Sequence, residues 1–118
     1  MYVADADYPP GTVVSFGGEH EVTLANQTND FRVAGVVSTQ PAHLMNTGLQ
    51  GQYVIPVALT GRVPCRVTGT VNKGDLMVTA GNGHARANNF AQAGTILGKS
   101  LENYQGDSGM IEVVVGRV

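Results

Sequence analysis

Apolar residues in this chain fall in short runs cut by glycine, proline and asparagine, a spacing that favours strands and tight turns over amphipathic helices. Residues 11–16 read as a strand, Gly17-Gly18 as a turn and residues 21–24 as the returning strand. A polar loop, Asn26-Gln27-Thr28-Asn29-Asp30, leads into a further apolar run at 31–38. Pro41-Ala42-His43-Leu44-Met45-Asn46 is the best short-helix candidate, since proline suits a first turn. Two apolar runs, 53–59 and 62–67, flank Thr60-Gly61, and each contains a proline, Pro56 and Pro64. A proline cannot donate to a ladder, so these runs are expected at sheet edges or at bulges. Asn82-Gly83 between 75–79 and 84–87 is the strongest hairpin signal, and 110–118 reads as strand throughout.

The pattern repeats. Pro10-Gly11-Thr12-Val13-Val14 followed by Ala34-Gly35-Val36-Val37-Ser38 is echoed by Lys73-Gly74-Asp75-Leu76-Met77 followed by Ala93-Gly94-Thr95-Ile96-Leu97. The expected fold is therefore all-β: a compact β-barrel or β-clip-like single domain with two related hairpin units and at most one or two short helices. Residues 1–10 form an extended N-terminal lead-in, and 11–118 the β domain.

Composition agrees. The 118 residues include 17 valines, 10 threonines and 3 isoleucines but only 7 leucines, with 16 glycines. No apolar run approaches the roughly 18–20 residues of a membrane span, and no secretory signal pattern opens the chain. Charged residues make up 14%, against about 25% in an average globular domain. A net charge of −2 with scattered Lys and Arg gives no phosphate-tracking surface, so nucleic acid is not an expected partner. A surface this poor in charge is prone to self-association, which points to cover by copies of the same chain or by a larger assembly.

Candidate chemistry is sparse. The single cysteine, Cys65, can form neither an internal disulfide nor a cysteine-based zinc site; flanking Arg62 and Arg66 would activate a thiolate, while its apolar strand context makes it a small core residue. His20, His43 and His84 have no carboxylate or cysteine at ligand spacing, so no metal and no cofactor are expected. Gly106-Asp107-Ser108-Gly109 spells the peptide around the nucleophile of chymotrypsin-like proteases, but 118 residues cannot supply that two-barrel body and no histidine stands in a matching context; a turn is the simpler reading. Lys73-Gly74-Asp75-Leu76 is similar to the turn of biotinyl and lipoyl carriers without their flanking residues. Asn26-Gln27-Thr28 fits a glycosylation acceptor in a polar loop.

Taken together, Val33-Ala34-Gly35-Val36-Val37-Ser38-Thr39-Gln40-Pro41-Ala42, then 57–67, Lys73-Gly74-Asp75-Leu76, 94–102 and Ile111-Glu112-Val113-Val114-Val115-Gly116 resemble the β-rich C-terminal domains of bacteriophage tail-fibre and neck-appendage structural proteins. Some of these belong with autoproteolytic intramolecular-chaperone domains. The resemblance implies a virion-located, non-enzymatic structural domain, commonly a homotrimer, that brings three chains into register or caps them and contacts other virion proteins or a host surface receptor. Apolar positions expected on exposed edges, Val54, Val57, Val63, Val113 and Val115, are the candidate interface. No catalytic residues are assigned. The alternatives are a self-cleaving chaperone domain, whose cleavage residues cannot be placed on this chain, and a capsid-decoration or receptor-binding module.

Overall fold

The computed structural model describes residues 2–18, 20–38 and 53–116. Eleven strands and no helix occur among them: β1 (Tyr2–Ala4), β2 (Val13–Phe16), β3 (Val22–Leu24), β4 (Val33–Val37), β5 (Tyr53–Ile55), β6 (Val57–Ala58), β7 (Gly61–Val71), β8 (Leu76–Gly81), β9 (His84–Ala87), β10 (Ile96–Ser100) and β11 (Tyr104–Val115). The short-helix candidate at 41–46 lies outside the described residues. The chain is an all-β compact domain. β10-β11-β7-β9-β8 close into a barrel, and β5-β1-β3-β2-β4-β6 form a sheet that nearly closes.

These two bodies are copies of one topology. The pairs Val14↔Gly35, Val14↔Leu24 and Ala4↔Val22 of the first become Met77↔Gly98, Met77↔Ala87 and Val67↔Ala85 of the second, a constant shift of 63 residues (14 to 77, 35 to 98). Loop hydrogen bonds move with it. Gly11 N–H donates to the Val37 carbonyl at 2.9 Å, and Gly74 N–H to the Ser100 carbonyl at 2.8 Å. Val37 N–H donates to the Thr12 carbonyl and Ser100 N–H to the Asp75 carbonyl, both at 2.9 Å. Gly11 and Gly74 share a φ of +92°, a left-handed geometry that favours glycine.

The echo in the sequence is thus a real duplication, but its second half aligns differently. Gly35 corresponds to Gly98 and not to Gly94. At both Gly35 and Gly98 a Cβ would run into the carbonyl of the closing strand, Ala58 O in one copy and Val114 O in the other. Gly94 has open space around it and serves the turn before β10.

The closing strand differs between copies. In the second barrel β11 pairs with both β7 and β10 as one continuous strand. In the first, the same role is split between β5, against β1, and β6, against β4, with Pro56 between them. Glu112 stands at the corresponding place in β11: its carbonyl accepts from Leu101 N–H at 3.0 Å, as the Pro56 carbonyl accepts from Ser38 N–H at 2.8 Å. Glu112 N–H donates to the Glu102 carboxylate at 2.7 Å, a donor that proline lacks.

Each barrel has its own apolar centre. Ala4, Val14, Val22, Val37 and Ile55 fill the first; at equivalent places in the second stand Val67, Met77, Ala85, Ser100 and Ile111, where gains in volume at two positions offset losses at others. Val13 and Val36 alternate with Val14 and Val37, so they face the other way and join the second core together with Ala25. This explains the adjacent valine pairs: β2 and β4 are covered on both faces. The Asn82-Gly83 turn fastens the barrels together, because Gly83 N–H donates to the Ala25 carbonyl at 2.9 Å and the Gly83 carbonyl accepts from Val13 N–H at 2.8 Å.

Candidate functional site

The five candidate interface valines separate into two groups. Val54 and Val57 sit half-buried on β5 and β6, the edge strands of the first sheet. Val63, Val113 and Val115 do not lie on exposed edges: they are 3%, 0% and 1% exposed and belong to the core of the second barrel. Pro64 explains the difference. Arg66, two residues further on and directed to the same side of β7, sends its N–H away from β11 to the Gly11 carbonyl at 2.9 Å. Pro64 therefore removes no bond from the β7–β11 ladder, and an interior strand tolerates it.

Large apolar side chains at the surface are instead Phe90 (96% exposed), Phe31 (74%), Met110, Phe16 and Leu59. Phe90 follows Asn88-Asn89 in the loop between β9 and β10, and Phe31 follows Asn29-Asp30 in the loop before β4. Phe90, an aromatic residue in a loop outside any strand pattern, carried a sequence signal; Phe31 was read as the start of the run 31–38, but β4 begins only at Val33. The Arg32 guanidinium lies 6.0 Å from the Phe31 ring centre.

Cys65 is fully buried, and burial pushes its thiol up to about 12. Burial of this kind disfavours a thiolate nucleophile near neutral pH. Among the described residues no group of three or more His, Cys, Asp or Glu side chains converges as a metal site.

A polar arrangement emerges where the β8–β9 turn meets β11. Asn82 and Gly83 have φ of +52° and +72°, the signature of a two-residue hairpin turn with both central residues left-handed. This turn places the Asn82 carbonyl 2.8 Å from His84 Nδ1. A carbonyl only accepts, so in the neutral ring Nδ1 carries the proton and Nε2 is left as an acceptor. His84 Nε2 lies 2.8 Å from Ser108 Oγ, which donates to it.

Ser108 is presented by a bulge. Pairing between β11 and β7 runs from Gly106↔Gly69 to Gly109↔Val67, so Asp107 and Ser108 together stand opposite Thr68. Thr68 Oγ1 donates to the Asp107 carbonyl at 2.7 Å. The Tyr104 ring lies against the bulge; a Cβ at Gly106 would meet Tyr104 Oη at 2.6 Å, and one at Gly109 would meet Cζ at 2.6 Å. Gly106-Asp107-Ser108-Gly109 is thus an irregularity inside β11, and the expected turn before a strand is not formed. Thr68, Asn82, His84, Asp107 and Ser108 line an open groove of about 500 Å³. Sequence reasoning missed the pairing of His84 with Ser108, which are 24 residues apart and join only because β9 and β11 both flank β7.

The chain matches no protein-family model and no curated protein.

Proposed function

We propose that this domain is a structural module of a bacteriophage virion, part of a tail fibre or appendage, that holds identical chains together as a homotrimer and contacts other virion proteins, a role that requires no catalysis. The observation that carries this reading is the pairing of a charge-poor surface with large exposed apolar side chains. Phe90 projects almost fully into solvent and Phe31 by about three quarters, on a chain with only 14% charged residues. Apolar surface of this kind is best accounted for by a protein partner that covers it. The closed barrel and the nearly closed sheet supply the frame for such contacts, and the resemblance of the strand-and-turn strings to phage appendage domains supplies the setting.

The interface is accordingly reassigned in part. Val54 and Val57 remain candidates on the first barrel's edge strands; Phe90, Phe31 and Leu59 replace the three buried valines. Sedimentation equilibrium at micromolar concentration tests the reading, with a trimer of the 12.3 kDa chain as the expected species. A stable monomer overturns it. Phe90→Ser and Phe31→Ser should shift the equilibrium toward monomer while leaving the near-UV spectrum of each chain folded.

A further inference from the structure

A serine hydroxyl is a weak nucleophile until a positioned base removes its proton in the transition state. The requirements are geometric: a base within hydrogen-bond reach, a third group that fixes the base's tautomer, an open approach to the oxygen, and a donor for developing negative charge. Ser108 meets the first three, and the groove offers a candidate for the fourth. His84 Nε2 is 2.8 Å from its oxygen, and the Asn82 carbonyl holds the Nδ1 proton on the far side of the ring. Ser108 is exposed along the groove. Asn82 lines the same groove, and its side-chain amide is the nearest candidate donor for the developing charge.

The mounting is also fixed. Tyr104 packs on the glycines either side of the bulge, and Thr68 ties down the Asp107 carbonyl. A serine on a regular strand would face one side of the sheet; the extra residue in the bulge re-aims it toward the β8–β9 turn.

We infer that this groove is an acyl-accepting serine site, with Ser108 as nucleophile and His84 as general base. Its substrates are small esters of neutral or cationic alcohols, since Asp107 lines the groove and its negative charge disfavours anions. Ser108 Oγ attacks the ester carbonyl carbon as its proton passes to His84 Nε2. The carbon–oxygen bond to the alcohol breaks, and the departing alcohol takes that proton. Water then adds to the acyl-serine, giving its proton to Nε2; the acid leaves and the serine hydroxyl is restored. Asn82 contributes a carbonyl dipole in place of the carboxylate of a full triad, so the imidazolium is less stabilised and turnover is slow. This activity stands apart from the assembly role and does not depend on it.

The test uses diisopropyl fluorophosphate on the full chain, followed by intact mass and peptide mapping. In that reaction the Ser108 oxygen–phosphorus bond forms, the phosphorus–fluorine bond breaks, and fluoride leaves. A single adduct on Ser108 is expected, absent in Ser108→Ala and formed at least tenfold more slowly in His84→Ala. Free imidazole should restore labelling of His84→Ala, a rescue that a merely structural histidine would not show. Hydrolysis of p-nitrophenyl acetate should follow the same order across the three proteins. Urea midpoints confirm folding, and His84→Asn serves where the alanine variant is unfolded. Adducts spread over other hydroxyls, or a labelling rate unchanged by loss of His84, overturn the inference. Either result leaves the sedimentation test of assembly unaffected.

Discussion

Gly35 and Gly98 occupy the same place in two copies of one barrel, each lying under the backbone carbonyl of the strand that closes its copy. At Gly98 an added methyl group would sit 2.8 Å from the Val114 carbonyl carbon and 2.9 Å from Val115 Cα, so β11 must move to admit it. Gly98→Ala should cost at least about 3 kcal/mol, the upper end of what overpacking does, and Gly35→Ala should act likewise on the first barrel. Gly94→Ala meets no neighbour and bears only the strain of its φ of +92°, about 1 kcal/mol. Urea unfolding of the three variants checks this ordering; equal effects at Gly94 and Gly98 would contradict the alignment of the copies.

Gly83 joins the barrels through two backbone hydrogen bonds at a φ of +72°. A methyl group there would approach Leu24 Cδ1 at 2.7 Å and Thr12 Cγ2 at 2.9 Å. Gly83→Ala should therefore destabilise by about 2–3 kcal/mol, combining left-handed strain with crowding. Hydrogen exchange should show the loss concentrated at Val13 and Gly83, whose amides bridge the two bodies.

Cys65 has a thiol raised to about 12 because it is wholly buried. At pH 8 the folded protein should leave Ellman's reagent unconsumed over minutes, and one equivalent should react promptly in 6 M guanidinium. Fast reaction of the native protein would show that the second barrel opens readily.

Burial opposes ionisation of Asp30, but the Arg32 backbone N–H, 2.9 Å away, and the Arg32 guanidinium, 3.2 Å away, outweigh it and hold the carboxyl below its ordinary 3.8. A depressed folded pKa stabilises the protein at pH values above the unfolded pKa, and this contribution disappears as pH falls through the folded one. Stability should decline below about pH 4. Asp30→Asn, less stable at pH 7, should lose less between pH 7 and pH 2.5 than the parent, as read from urea midpoints.

Much of the fold was legible because turn chemistry is local. Asn82-Gly83 announced its hairpin, and Gly11 and Gly74 announced the duplication, since each serves a backbone geometry of its own. The slip from Gly98 to Gly94 arose because a glycine required by a neighbouring strand's backbone has no local mark. Val63 was placed outside because Pro64 signals an edge, and Val113 and Val115 because the chain is poor in charge; whether the missing donor of Pro64 matters depends on which side of β7 it faces, and that is a property of the pairing. The His84–Ser108 contact was beyond reach for the same reason: neither residue has a local feature that names the other, and a two-residue bulge decides where Ser108 points.

The two ways of closing the barrels have a consequence for the order in which the molecule takes shape. Every strand of the first copy has been synthesised once residue 58 leaves the ribosome. The second must wait for residues 113–115, which bind β10 and β7 in a single stroke. The valine-faced outer wall of the early body, Val13 and Val36, is part of the surface against which the later body packs.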